Sequence, residues 1–328
     1  MAFLRIKGGG WLVGYGPFEE RAEPPVSGVA FYRNDFGLSD PLPWKVPARV
    51  EELAAMPEGA GDVPVVEWEA PSGDDFAEVF GEVVMKIGEG VLEKSVPVVT
   101  ERGVLRCGSG RDFLGTLHEL PTALRGYGWI NGEESFVGST PEELFQLKDG
   151  ILTTMALAGT ARSEDQGVFE VDSKEIREHE YVAGSLVGKL SDIGMVQRQP
   201  RRVMNLGPLV HFETPIRVEL YRPEGAGELI RHMHPTPALG PLPRTGETME
   251  LLHDWRTRLG CPRWFGAPFG VWREGELTVL VAIRMVVWQG DNVYLPSGCG
   301  VIDESRLVNE WRELRLKRDS VKELFQIS

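Results

Sequence analysis

The sequence has few cysteines and no long hydrophobic run, and each shortage excludes a class of protein. The three cysteines, Cys107, Cys261 and Cys299, are far apart and in no metal-ligand spacing. We therefore expect them to be reduced, without a disulfide framework or a zinc site. No stretch approaches the roughly 18 apolar residues that indicate a membrane span, and the start "MAFLRIKGGGWLVGYG" has no signal-like apolar core. These features predict a cytoplasmic protein with no membrane partner.

Basic residues are also scarce relative to acidic ones. The chain carries 35 Lys and Arg against 49 Asp and Glu, a formal net charge of −14. This balance argues against nucleic acid as a partner, because an acidic protein repels a polyanion. It leaves room for a small anionic ligand, since a local group of cations outweighs the overall charge. With 328 residues and 42% hydrophobic content, the chain is long and apolar enough for a substantial core.

Hydrophobic patterns predict a single α+β domain over residues 1–328. Residues 1–74 are rich in Gly, Pro and aromatic residues, so we expect a less regular part of strands and turns, with an exposed connection at 58–75. From residue 75 an amphipathic helix, apolar from Phe76 to Val91, leads into the apolar strand 95–103. Segments between 127 and 157 predict an antiparallel meander with Asn-Gly and Asp-Gly turns.

The end of the chain predicts a helix that carries charges into the interior. At about 100° per residue, Glu310, Glu313 and Lys317 fall within its apolar stripe. A second predicted helix, 172–190, has Glu175 and His179 within its apolar side and Glu178 at its edge. One interpretation is two solvated helices with i,i+4 ion pairs. The other is a pair of facing helices whose carboxylates bind a hard divalent cation such as Mg²⁺, because buried charges need partners.

Other polar residues lie in apolar or glycine-rich surroundings. Arg284 interrupts the apolar segment "VLVAIRMVVW", where a buried guanidinium needs an anion and suits a carboxylate. Lys94 precedes the strand "SVPVV", a position where most lysines are exposed. Turns of small residues, "LAGT" and "SGCG", can offer backbone N–H groups to a second anion. Together these residues predict a small substrate with two carboxylates next to a metal ion.

An ordered series of motifs between residue 75 and residue 328 resembles one known family. The motifs are "FVGSTPEEL", "LAGTAR", "SKEIREHEYV", "VHFETPIR", "HPTPALG", "FGAPFG", "VAIRMV", "SGCGVIDES" and "EWRELRLK". They resemble the chorismate-utilising enzymes, which include isochorismate, salicylate, anthranilate and aminodeoxychorismate synthases. The resemblance implies an α+β domain of two antiparallel β-sheets flanked by helices, with Mg²⁺ and chorismate held between the sheets and the helices.

The resemblance also implies a role for each matching residue. It implies that Glu178 and Glu313 bind Mg²⁺, and that Glu175 and Glu310 hold waters on the ion. The implied substrate-binding residues are Gly159, Thr160, Ala238, Leu239, Arg284, Gly298, Gly300 and Lys317. The implied catalytic residues are Lys94, Glu142 and His211. His211 would lie near the ring of chorismate, and the alternative is that it is a hydrogen-bonded histidine of the core.

Four residues favour one reaction within the family. Ala158 stands where aminodeoxychorismate synthases commonly have a lysine, and Lys94 stands where anthranilate synthases commonly have glutamine. Lys94 therefore resembles the water-activating members. Ala238 and Leu239 resemble the type that releases isochorismate, which predicts an isochorismate synthase. The open alternatives are a salicylate synthase that also eliminates pyruvate, an anthranilate-synthase-like component, and a chorismate-binding protein without turnover.

The expected partner is chorismate alone, bound by a monomer or homodimer. Isochorismate supplies both menaquinone and siderophore synthesis, so the pathway stays open. Phe265 and Phe269 of "FGAPFG" depart from the usual pattern, and their effect on the pocket is open as well.

Overall fold

The computed structural model describes residues 1–56 and 63–327, apart from the side chains of residues 118 and 119. The helices are α1 (Gly73–Gly88), α2 (Gln166–Phe169), α3 (Ser173–Ser191), α4 (Ala226–Met233), α5 (Gly246–Arg258) and α6 (Leu307–Leu324), with 3-10 helices at Gly110–Glu119 and Ser163–Asp165. The strands are β1 (Ala2–Arg5), β2 (Trp11–Arg21), β3 (Val29–Arg33), β4 (Trp44–Leu53), β5 (Val65–Glu69), β6 (Val98–Cys107), β7 (Arg125–Trp129), β8 (Ser135–Thr140), β9 (Glu143–Lys148), β10 (Ile151–Arg162), β11 (Gly194–Arg198), β12 (Arg202–Asn205), β13 (Leu209–Leu220), β14 (Pro268–Arg273), β15 (Glu276–Val281), β16 (Met285–Gln289) and β17 (Asn292–Gly298).

All strand pairings are antiparallel and form one continuous strip. In pairing order, the first half is β5-β6-β17-β16-β8-β7-β1-β2, called the first sheet below. The second half, called the second sheet, is β4-β3-β14-β15-β9-β10-β13, with β11 and β12 both paired to β13. The long strands β2 and β4 join the halves, and a register shift interrupts their pairing between Tyr15 and Phe18. The two predicted sheets are thus present and are linked through this pair.

The two sheets pack face to face around aromatic residues. Phe269 of the second sheet lies against Tyr127 and Phe136 of the first, with ring centroids 5.7 and 5.6 Å apart. Burial of such rings is a major source of core stability. On the outer face of the second sheet, α3 packs against β10 and β13 through Val182 and Leu186. Helix α6 packs against β17 and α1, so each sheet is covered by helices.

The three predicted helices are confirmed, with ends set by local chemistry. Helix α1 begins after Ser72, whose hydroxyl accepts from the N–H of Asp75, and α3 begins after Asp172, whose carboxylate accepts from the N–H of Glu175. Helix α6 carries the predicted stripe, in which Glu310 is buried. No helix in the described residues has the length and apolar composition needed to cross a bilayer.

The predicted meander is correct within its hairpins and wrong between them. Strands β7 and β8 pair around the Asn-Gly turn, and β9 pairs with β10 around Asp149 and Gly150, both at positive φ as such turns require. Strand β8, however, does not continue to β9: it pairs with β16, whereas β9 pairs with β15. The chain crosses from the first sheet to the second at residues 141 and 142.

A second crossing runs beside the first in the opposite direction. Strand β15 ends in the second sheet at Val281, and β16 begins in the first sheet at Met285. Arg284 lies in this break with φ of 51°, so it is not within a strand as its apolar surroundings predict. Backbone hydrogen bonds tie the crossings together, from Val281 N to Glu142 O (3.1 Å) and from Ser139 N to Arg284 O (3.0 Å).

The N-terminal part contributes full strands to both sheets. Strand β1 pairs with β7, and β3 pairs with β14, so residues 1–74 hold five strands in the same sheet system as the rest of the chain. The exposed connection predicted at 58–75 is wrong at 65–69, where β5 pairs with β6. Residues 58–62 of that prediction lie outside the described residues.

Candidate active site

A cavity lies where the two crossings meet helices α3 and α6. Its lining comes from the crossings, the ends of β10 and β17, one residue of β13, and one face of each helix. The lining residues are Pro141, Glu142, Leu157, Ala158, Gly159, Thr160, Glu178, His211, Ala238, Leu239, Phe265, Ile283, Arg284, Pro296, Ser297, Gly298, Gly300, Glu313, Lys317 and Val321. Helices α3 and α6 thus supply two carboxylates and a lysine, and loops supply Ala238, Leu239 and Phe265.

Glu142 stands at the first crossing and faces this cavity. It is 4% exposed, and burial raises its pKa to about 7, opposed by a hydrogen bond from Thr236 Oγ1 (3.2 Å) and by the charges of Lys94 and Lys317. The neighbouring Glu143 points elsewhere and pairs with Arg125 at 2.6 Å. The carboxyl that reaches the cavity is therefore Glu142, and near neutral pH it is a proton donor.

The raised pKa of Glu142 makes stability depend on pH. Between the ordinary pKa of 4.5 and about 7 the folded state holds a proton that the unfolded state has lost, so stability falls as pH rises. Glu142→Gln mimics the protonated form and so removes this pH-dependent decrease in the free energy of unfolding, which amounts to at most about 3 kcal/mol. We expect the variant to gain stability over the wild type between pH 5 and pH 8 in denaturant titrations. A constant difference across that range would contradict the raised pKa.

Lys94 is fully buried immediately behind the cavity wall. Its Nζ donates to Pro237 O (2.7 Å) and lies 3.6 Å from Glu178 Oε1. Burial lowers the pKa of Lys94, opposed by Glu178 and assisted by Lys174 and Lys317. Gly300 makes this packing possible, because a Cβ there would come within 1.9 Å of Glu178 Oε1 and 2.8 Å of Lys94 Cε.

Arg284 and His211 form a hydrogen-bonded pair in the cavity. Arg284 Nη2 lies 2.6 Å from His211 Nε2, and His211 Nδ1 lies 2.8 Å from Gly159 O. A guanidinium only donates, so Nε2 accepts and Nδ1 carries the proton. Burial and the charge of Arg284 hold the pKa of His211 well below its usual range, so the ring is neutral. Burial lowers the pKa of Arg284 to about 10, and no carboxylate of the described residues forms an ion pair with it.

The two small-residue segments are built differently from the predicted turns. "AGT" is a bulge near the end of β10, with Gly159 at φ 75°, and the N–H of Thr160 donates to Glu175 Oε2 (2.9 Å). That N–H thus donates to a carboxylate of the protein itself, and its contact with a substrate anion stays a prediction. In "SGCG", Gly298 O accepts from Lys317 Nζ (2.9 Å), which also pairs with Glu313 (2.7 Å).

Helices α3 and α6 bring the four predicted carboxylates to one edge of the cavity. Burial raises the pKa of Glu310 to about 8, assisted by Glu313, and that of Glu175 to about 7. Glu178 has a lowered pKa because Lys174 and Lys94 outweigh its burial. Lys174 Nζ lies among these oxygens, 3.0 Å from Glu175, 3.1 Å from Glu178 and 3.4 Å from Glu310.

The donor set fits a hard divalent cation. All four side chains offer oxygen, and Glu310 Oε2 is a buried carboxylate oxygen without a hydrogen-bond partner. Among the described residues no three acidic, histidine or cysteine side chains already converge as metal ligands. The predicted arrangement of two carboxylate ligands plus waters does not need three, but it does need the ammonium of Lys174 to give way.

Comparison with known proteins places the chain in a family. The chorismate binding enzyme family matches residues 51–325, most of the chain. The chain belongs to the chorismate-binding enzymes. The chain is similar to the salicylate biosynthesis isochorismate synthase of Pseudomonas aeruginosa. The two share 34% identity over 205 residues, covering 58% of this chain and 42% of that protein.

Another relative comes from a different branch of the chorismate-binding enzymes. Anthranilate synthase component 1 of Acinetobacter calcoaceticus is 30% identical over 207 residues, covering 58% of this chain and 41% of that protein. The matches thus span less than half the length of these curated relatives. The structure is also similar to that of a putative 2,3-dihydroxybenzoate-specific isochorismate synthase, DhbC, from Bacillus anthracis. The TM-score is 0.82 at 18% identity, covering 100% of this chain and 96% of that one. This likeness confirms the α+β fold.

All of the predicted site residues lie in or beside this one site of the chorismate-binding fold. Most line the cavity, while Lys94, Glu175 and Glu310 lie directly behind it. The effect of two phenylalanines on the pocket was left open by the sequence. Phe265 lines the cavity, and Phe269 lies in the core between the sheets.

Among the residues that sequence reasoning missed, two contact carboxylates of the site. Thr236, within the motif "HPTPALG", donates a hydrogen bond to Glu142, and a hydroxyl between two prolines is a signal that could have identified it. Lys174, within "SKEIREHEYV", lies at the centre of the carboxylates. Its i,i+4 spacing to Glu178 is that of an ordinary solvated ion pair, so the spacing does not reveal its burial.

Proposed function

We propose that this protein is an isochorismate synthase, which adds water at C2 of chorismate with loss of the C4 hydroxyl. The observation that carries the proposal is the pair of buried groups whose pKa values are moved toward neutrality from opposite sides: Glu142 upward and Lys94 downward. Such a pair suits a reaction that removes one proton and supplies another. Membership of the chorismate-binding enzymes and the similarity to isochorismate synthases support the substrate and the reaction.

In the proposed reaction Lys94 is the base and Glu142 the acid. Lys94 takes a proton from the attacking water, and Glu142 gives a proton to the C4 hydroxyl, which leaves as water while the ring double bonds shift. When Lys94 is deprotonated, it loses the ionic attraction to Glu178 that holds its Nζ behind the cavity wall. Thr236 keeps the Glu142 carboxyl aimed into the cavity.

Two cations are placed to bind the carboxylates of chorismate. Arg284 donates to His211 through Nη2 and to Ser320 Oγ through Nη1 (3.4 Å), and it lacks an acidic partner among the described side chains. Its remaining N–H groups can therefore bind an anion. Lys317 lines the same cavity, where Glu313 raises its pKa against the effect of burial and keeps it charged. His211 acts in this proposal through Arg284, whose guanidinium it orients. Ala238 and Leu239 form an apolar part of the wall.

We further propose that Mg²⁺ is the cofactor, held by Glu178 and Glu313, with Glu175 and Glu310 holding its waters. These four side chains offer the oxygen donors that the ion prefers. When bound, the dication neutralises the acidic cluster and supplies positive charge for a substrate carboxylate. The orphaned oxygen of Glu310 supports a ligand at this place.

Product analysis tests the proposed reaction. We expect pure protein incubated with chorismate and Mg²⁺ to form isochorismate, separated by chromatography. Salicylate with pyruvate would place it with salicylate synthases, and product that forms only with added ammonia would place it with anthranilate synthases. Calorimetric binding of chorismate without any product would identify a binding protein.

A further inference from the structure

Lys174 occupies the centre of the acidic cluster rather than its solvated edge. Its ammonium lies within 3.0–3.4 Å of oxygens from Glu175, Glu178 and Glu310, which come from two different helices. The side chain is 19% exposed, and its ammonium has carboxylate oxygens around it from both helices. It holds together two helices that would otherwise bring like charges into contact.

The other two lysines nearby have different partners. Lys317 pairs with Glu313 at 2.7 Å and donates to Gly298 O, and Lys94 donates to Pro237 O. Lys174 alone among these three contacts carboxylates on both α3 and α6. Of these three lysines, Lys174 is consequently the one whose ammonium contacts the most acidic side chains.

The cluster is also reached from outside through a second depression. This cleft shares Glu313 with the first cavity and is also lined by Lys174, Glu175 and Glu310. Asp165 and Asp172 line it as well, so it holds other carboxylates that an ammonium can contact. Side chains of the cluster are thus accessible to a cation from this cleft.

We propose that Lys174 is a built-in counter-ion that a divalent cation must displace from the carboxylate cluster. The inference rests on the metal site of the proposed function. An ammonium and a dication cannot share the same oxygens, because like charges a few ångströms apart in a buried site repel strongly. Lys174 therefore keeps the metal-free protein folded and at the same time weakens the binding of Mg²⁺, so that the ion is exchangeable.

The test compares Lys174→Met with Arg177→Met by calorimetric titration of Mg²⁺ without chorismate. Arg177 is also on α3 but pairs outside the cluster with Asp303 and Glu304. Each variant removes one positive charge, so the two variants have equal net charge. We expect Lys174→Met to bind Mg²⁺ at least about 10-fold more tightly than the wild type, and Arg177→Met to bind like the wild type. Melting temperatures should show a metal-free Lys174→Met protein that is less stable than the wild type and gains more from added Mg²⁺.

A second variant covers the case in which Lys174→Met does not fold. Lys174→Gln retains N–H donors for the carboxylates and should show the same direction of change. Equal or weaker Mg²⁺ binding by a folded Lys174 variant, with binding intact in the wild type, would overturn the counter-ion role and leave the metal site standing. Absence of Mg²⁺ binding in the wild type and both folded variants would instead overturn the metal site itself.

Discussion

Lys94→Ala and Glu142→Gln are each expected to lower kcat by about 10²–10⁴-fold, the usual effect of losing a positioned base or acid. Chorismate binding should change far less, because Arg284 and Lys317 remain. The exchange of hydroxyl positions is reversible, so the two residues swap roles in the reverse direction, and both variants should lose reverse turnover too. Steady-state kinetics in both directions and calorimetric binding of chorismate provide the measurement.

Glu143→Gln is the matched control for the acid. It removes a carboxylate one residue away that pairs with Arg125 outside the cavity, so kcat should stay within a few-fold of the wild-type value. A folded Lys94→Ala variant that binds chorismate and keeps a near-normal kcat would show that Lys94 is a structural lysine, and the base would have to be sought elsewhere.

The metal-ligand variants Glu178→Gln and Glu313→Gln should remove most Mg²⁺-dependent activity. Each replaces a charged ligand by a neutral amide, and we expect at least about a 100-fold loss in Mg²⁺ affinity or turnover, since even outer partners of metal ligands cost 10–100-fold. The protein is first stripped of metal with a chelator, and turnover is then followed as Mg²⁺ is added. This titration measures both the Mg²⁺ affinity and the maximal turnover. Melting curves should show that each variant still folds.

Glu180→Gln is the control for these variants. Glu180 is on the same helix two residues beyond Glu178 but pairs with Arg198 at the surface, so its loss should leave the Mg²⁺ response unchanged. Wild-type activity and unaltered Mg²⁺ dependence in both ligand variants would refute the assignment and favour the solvated-helix interpretation of these charges.

The helices and the residues on them were predictable because their signals are local. A stripe of apolar residues every three or four positions identifies α6, and the intrusion of Glu310 and Glu313 into that stripe identifies the acidic cluster. A family motif favoured Glu142 over Glu143, and of the two it is Glu142 that lines the cavity. The structure supplies its physical basis, because only Glu142 lies at the crossing between sheets.

The crossings themselves were not predictable, because strand patterns do not specify which strand is the partner. "FVGSTPEEL" contains two good strand signals, and nothing local shows that they belong to different sheets. The contact between His211 and Arg284 joins residues 73 positions apart, so it too depends on the assembled fold. Lys174 was missed for a related reason, since a helical Lys–Glu spacing is the same whether the pair is solvated or buried.

The paired crossings and the two helices hold different parts of the site. Glu142 and Arg284 belong to neighbouring backbone segments joined by hydrogen bonds, so the spacing of their backbones is set by the sheets. Glu178 lies on α3 and Lys317 on α6, and α6 also contacts Arg284 through Ser320 Oγ (3.4 Å). A displacement of α3 or α6 would therefore change the acidic cluster while leaving the backbones of the proposed proton donor and the proposed substrate anchor in place.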